Sequence, residues 1–288
     1  MTDNRHFIKI IREQASPLKP IPTGLEARGS LSRPVRAVLF DLYGTLFISG
    51  SGDITVAEEQ VKRDRLASLL SRYDLHDDPE QVQKSYVAAI QKEHERLRAG
   101  GVDYPEVIIE NIWKAVLGYG SDEKARVFAV AYESMFNPVW PMPHLPELLG
   151  SLQSLKLVMG IVSNAQFFTP FLFDAFIGYT PAEIGFTDEL ALYSYVYGFA
   201  KPSAFLFEKA RQRLAMRGID ASEVLFVGND MLNDVYAAKK AGFQTALFAG
   251  DKRSLRMRTD DERCTVVTPD LTVIDLLQLS EALKVQTE

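Results

Sequence analysis

Apolar and polar positions divide the chain into three stretches of different rhythm. Residues 1–34 are polar and broken by Pro17, Pro20, Pro22 and Pro34, which predicts a loosely attached arm; within it HFIKIIREQ has the spacing of one short amphipathic helix. VRAVLFDLYGT, Val35 to Thr45, then reads as a buried strand running into a glycine-containing turn. Gly50, Gly52 and the neighbouring serines read as a hinge-like linker. From about Val56 to Phe136 the period is helical, with Val56, Val61, Leu66, Leu69 and Leu70 near the spacing of one face. Three further helices are predicted at PEQVQKSYVAAIQKEHERLRAG, PEVIIENIWKAVLG and SDEKARVFAVAYESMF. Pro79 and Pro105 stand at favoured first-turn positions, and Ser121 suits an N-cap.

After NPVWPMP the rhythm changes to alternating helix and strand. LPELLGSLQSL, FFTPFLFDAFIG, SAFLFEKARQRLAMRG, NDVYAAKKAG and LTVIDLLQLSEAL read as helices. LVMGIVSN, LYSYVYG, EVLFVGND, QTALFAG and TVVT read as strands. Apolar strands alternating with helices predict an α/β fold, a doubly wound parallel sheet covered on both faces, with a helical unit of roughly 80 residues inserted after the first strand. The expected organisation is an arm at 1–34, a core at 35–52 and 138–288, and a helical insert at 53–137.

Composition narrows the class without choosing a chemistry. At 288 residues, 47% hydrophobic and 24% charged, the chain has the make-up of an ordinary globular protein. A net charge of -6 argues against general binding to nucleic acid or acidic membranes, yet it leaves room for a locally positive site. One cysteine, Cys264, cannot form an internal disulfide and suits a reducing cytoplasm. No apolar run of membrane-spanning length and no secretory signal pattern is read, so a cytoplasmic location is expected.

Four short segments fall at carboxyl ends of predicted strands, where such sheets bind ligands. They are DLYGT at Asp41, Ser163-Asn164, Lys201-Pro202 and GNDMLND with Asp230 and Asp234. Singly, each has an ordinary structural reading: a turn former, a helix N-cap, a solvated lysine, acids favoured by a helix dipole. A parallel sheet would bring all four to one edge. In this order they resemble the four motifs of the haloacid dehalogenase-like hydrolase superfamily. Phe40-Asp41-Leu42-Tyr43-Gly44-Thr45 corresponds to the first, Ile161-Val162-Ser163-Asn164 to the second, Lys201-Pro202 to the third, and Val227-Gly228-Asn229-Asp230 with Asp234 to the fourth.

The resemblance implies a Rossmann-like core with a helical cap, and a covalent intermediate on Asp41. It implies Mg²⁺ held by Asp41, the Tyr43 backbone carbonyl and Asp230, with Asp234 ligating the ion or orienting its waters. Lys201 would offset negative charge, while Thr45, Ser163 and Asn164 would contact substrate. The expected activity is hydrolysis of a small phosphorylated metabolite through an aspartyl-phosphate. Tyr43 departs from the phosphatase pattern, which carries a second aspartate there as general acid and base. The dehalogenase branch has Tyr at this position and no metal, so a 2-haloacid dehalogenase stands as the alternative. A catalytically silent binding protein is the third reading.

The fourth motif favours the metal-dependent reading, because carboxylates gathered around Asp41 repel one another unless a cation is present. A phenol is a poor proton donor at neutral pH, so Tyr43 predicts leaving groups that depart as stable anions. His76, His94, Trp113 and Lys114 are weak candidates for cap contacts, and Arg63 and Arg65 read as solvated.

Overall fold

The computed structural model describes residues 4–50 and 56–285. Among the described residues nine strands form: β1 (Arg28–Gly29), β2 (Ala37–Phe40), β3 (Phe47–Ser49), β4 (Val139–Pro141), β5 (Val158–Ser163), β6 (Phe186–Tyr193), β7 (Val224–Gly228), β8 (Gln244–Phe248) and β9 (Leu271–Val273). Seven of them make one sheet in the order β1-β9-β8-β7-β2-β5-β6, parallel except at the short edge strand β1. The first strand in the parallel series, β2, therefore lies near the middle, flanked by β7 and β5.

Strand alternation explains why both faces are covered. Ala37 and Leu39 of β2, with Val224 and Phe226 of β7, enter one apolar cluster. Val38 and Phe40, with Leu225 and Val227, enter the other. All four side chains of β2 are buried, as expected of a strand sandwiched between two helical layers.

The helical insert occupies the interval between β3 and β4, which pair antiparallel as its stem. Its helices are α2 (Val56–Arg72), α3 (Pro79–Ala99), α4 (Ile109–Val116) and α5 (Asp122–Phe136), close to the expected bounds except that α4 starts at Ile109, so Pro105 stands outside it and bridges to Phe199 instead of opening the helix. Leu66, Leu69 and Leu70 are buried, whereas Val61 is half exposed. Trp113 anchors the insert, stacking on Tyr86 at 4.3 Å and packing against Phe128 and Tyr132. Part of the predicted linker, including Gly52, lies outside the described residues.

The arm is more firmly attached than its composition suggests. Helix α1 (Asn4–Gln14) packs against α5 of the insert and against α7 (Phe171–Phe176) of the core, which follows α6 (Leu145–Ser154). Phe7 is fully buried and stacks on Phe171 at 5.6 Å. Arg12 donates to the carbonyls of Ala175 and Asp174, satisfying acceptors at the end of α7.

Two strands are displaced from their expected places. The sixth is Phe186–Tyr193, and SYVY forms one helical turn instead of a strand. The last is Leu271–Val273, while TVVT begins at the end of another single turn.

Candidate functional site

Asp41 follows directly on β2, and its backbone N–H donates to Val227 O at 2.9 Å, which carries the β2–β7 pairing one residue further. The chain then turns sharply. Leu42 O accepts the N–H groups of Thr45, Leu46 and Phe47, and Gly44 adopts φ +82°. A Cβ at Gly44 would lie 2.4 Å from Ser254 Cβ and 2.6 Å from Asn229 Nδ2, so only glycine fits there.

The end of β7 is equally crowded. A Cβ on Gly228 would come within 2.4 Å of the Asp234 carboxylate. That carboxylate folds back so that Oδ2 accepts the N–H groups of Asn229 and Asp230 at 3.0 and 2.9 Å. Asp230 caps the π-wound turn Met231–Tyr236, its Oδ1 accepting from Leu232 N and Asn233 N.

Lys201 reaches between the two loops. Its backbone is held by Asn164, whose Oδ1 accepts Lys201 N at 2.7 Å and whose Nδ2 donates to Lys201 O at 3.2 Å. The ammonium donates to Asp41 Oδ1 at 2.7 Å and to Asp234 Oδ1 at 2.6 Å, with its side chain only 2% exposed. Burial opposes the charge on Lys201, but the carboxylates of Asp234 and Asp41 outweigh it and hold its pKa above the ordinary lysine value. Burial lifts the Asp234 carboxyl to about 7, against the pull of Lys201.

A second cation was not anticipated. Arg258, in the loop after β8, donates from Nη2 to Asp230 Oδ2 at 2.7 Å and from Nε to both carboxylate oxygens at 3.2–3.3 Å. Arg256, two residues earlier, is held by the carbonyls of Arg253 and Leu255. The available signal was DKRSLRMR, which places Lys252, Arg253, Arg256 and Arg258 just beyond a strand's carboxyl end.

Asp41, Tyr43, Lys201, Asp230, Arg256 and Arg258 are among the residues lining a pocket of about 220 Å³. Asp234 and Asn164 also line it. Thr45 and Ser163 do not. Thr45 is buried and donates to Asn229 Oδ1, and Ser163 Oγ is turned toward Asn164 O. Tyr43, Ser49 and Asn164 are shared with a second cavity of about 410 Å³ beneath the insert, whose wall includes Ile90, Val107, Ile109, Phe168 and His94. Of the other cap candidates, His76 is exposed, Trp113 is buried in the insert and Lys114 pairs with Asp122. Arg65 is exposed, and Arg63 pairs with Glu80 at the surface.

Tyr43 donates to or accepts from Thr169 Oγ1 at 3.1 Å, and burial pushes its phenol well above the usual value. It holds its proton throughout the neutral range and supplies no acid–base pair there.

The donor set does not fit a divalent ion as it stands. Both oxygens of Asp234 are taken by Lys201 and two backbone N–H groups, and both oxygens of Asp230 face Arg258. Among the described residues, no group of three His, Cys, Asp or Glu side chains is arranged to hold a metal ion. Two acids beside Asp41 do require positive charge nearby, and Lys201 and Arg258 provide it.

A family model described as haloacid dehalogenase-like hydrolase matches residues 35–242. Comparison with curated protein sequences gives no match. Among solved structures, the 2-haloacid dehalogenase from Pseudomonas syringae pv. Tomato DC3000 is similar with a TM-score of 0.52 and 22% identity, over 87% of this chain and 98% of that one. The HAD phosphatase from Thermococcus onnurineus aligns with a TM-score of 0.51 and 17% identity, over 86% and 98%. The HAD-hydrolase YfnB from Bacillus subtilis, solved bound to magnesium, gives 0.50 and 19%, over 87% and 99%. At these identities the likeness establishes the shared fold.

Proposed function

The chain belongs to the haloacid dehalogenase-like hydrolases, and on that premise we propose that it hydrolyses a small 2-halo acid through an ester to Asp41, without a divalent ion. The observation that carries this reading is the pairing of Asp230 with Arg258 and of Asp234 with Lys201. The positive charge that gathered carboxylates demand is present in side chains.

In this mechanism Lys201 holds Asp41 Oδ1 and leaves Oδ2 to attack. The Arg256 guanidinium binds the substrate carboxylate, and Val107, Ile109 and Phe168, on the otherwise mostly polar wall of the adjoining cavity, accept the halogen-bearing carbon. The new carbon–oxygen bond forms as the carbon–halogen bond breaks, and the halide leaves with the bonding pair. Water then adds to the ester carbonyl, releasing the 2-hydroxy acid and restoring the Asp41 carboxylate. A halide needs no proton on departure, which agrees with a tyrosine in place of an acid at position 43.

A second reading, an Mg²⁺-dependent phosphohydrolase working through an aspartyl-phosphate, is favoured by one observation: Asp41, Asp230 and Asp234 all line the same small pocket. Chloride release from 2-chloropropionate in EDTA decides between them. The wild type should release chloride and Asp41→Asn should not. Phosphate release from acetyl phosphate that needs magnesium, with no chloride released, would establish the second reading instead. A wild type silent in both assays would leave a binding protein.

A further inference from the structure

We infer that Arg258 is a built-in blocker of cation binding: its guanidinium fills the seat at Asp230 that a divalent ion would take, so that its removal converts the site into a metal-binding one. The inference rests on the surroundings of Asp230 and not on which substrate Asp41 attacks.

Every acceptor position of Asp230 is in use. Oδ1 accepts from Leu232 N, Asn233 N and Arg258 Nε; Oδ2 accepts from Arg258 Nε and Nη2. A hard cation needs one of those oxygens and would meet a fixed positive charge beside it. The backbone N–H bonds orient the carboxylate without charge, so the charge in direct contact with Asp230 comes from Arg258.

Arg258 is also held in place by its loop. Arg256 N donates to Asn229 O at 3.0 Å, and Met231 N donates to Arg256 O at 2.9 Å, pinning the loop to the turn that carries Asp230. At the loop's start, buried Asp251 accepts Ile21 N and pairs with Arg253. Arg258 itself adopts φ +51°, a left-handed conformation that non-glycine residues keep only where surrounding contacts fix it. The guanidinium side chain is 40% exposed, so shortening it leaves no cavity in a core.

Mn²⁺ affinity measured by electron paramagnetic resonance on the full chain tests this without any turnover. Arg258→Gln and Arg258→Ala should bind Mn²⁺ at least about tenfold more tightly than the wild type. Arg258→Lys, which keeps the charge, should stay close to the wild type. Adding Asp230→Asn to Arg258→Gln should abolish the gain. The inference is overturned if the wild type already binds Mn²⁺ in an Asp230-dependent way as tightly as folded Arg258→Gln does. It is equally overturned if the gain survives Asp230→Asn. Chloride release from 2-chloropropionate is a separate readout, so failure of the proposed activity and failure of the blocker are told apart.

Discussion

Lys201 carries a charge that burial by itself would remove, and two carboxylates keep it there. The balance is sensitive because taking away one member leaves the others charged and desolvated. Lys201→Met preserves much of the apolar stem while leaving Asp41 and Asp234 facing each other across the vacated position. The expected loss is about 3–5 kcal/mol of unfolding free energy, read from denaturant titration, together with loss of activity. A variant as stable as the wild type would show that the lysine is not needed to hold the acids together. The lysine's importance was legible as a Lys-Pro beyond a strand end. Its partner Asp234 was legible too, but as a metal ligand, since spacing identifies acids that need a cation without identifying the cation.

Helices were easier to anticipate than short strands. The helices of the insert carry their own periodicity over many residues, and α3 opens on a first-turn proline, so local pattern fixes most of their limits; Pro105 instead precedes α4, which begins at Ile109. β3 and β4 are three residues each and separated by the whole insert, so their pairing is a property of the fold and leaves little local trace. SYVYG has strand-forming residues, yet it follows eight residues already committed to β6 and closes as a single turn at Gly198. Helix α1 shows the same limit: its amphipathic spacing was readable, but its docking site on α5 and α7 was not. Because Phe7 is fully buried between those helices, Phe7→Ala should lower stability by about 3–5 kcal/mol, measured by chemical denaturation. A loss below about 0.5 kcal/mol, the range of surface substitutions, would mean that the arm is not part of the cooperative unit.

At the scale of the whole molecule, the insert and the core meet around Glu106. Its carboxylate accepts Ser194 Oγ at 2.7 Å and Gln166 Nε2 at 3.1 Å, and its backbone N–H donates to Gly198 O. Burial raises the Glu106 carboxyl above its ordinary 4.5, against these hydrogen bonds. The folded state therefore retains a proton that the unfolded chain has already lost. This contribution to stability is complete below about pH 4.5 and declines as pH rises through the raised value. Glu106→Gln removes the dependence, so wild-type melting temperature should fall relative to the variant as pH is taken upward from that point. Parallel melting curves for the two proteins across this range would contradict the assignment. Among the described residues no helix is long and apolar enough to cross a membrane.

The sequence by itself determined the α/β alternation, the inserted helices and the four loops at one sheet edge, because periodicity and strand-end position are local properties that a parallel sheet converts into proximity. It also required positive charge beside Asp41, since that follows from counting acids. Only the tertiary structure decided where this charge resides. Arg258 lies 28 residues beyond Asp230 in a loop with no regular period, and the two meet because β8 and its following loop return to the end of β7. Coulomb attraction depends on distance in space, which a spacing along the chain does not specify.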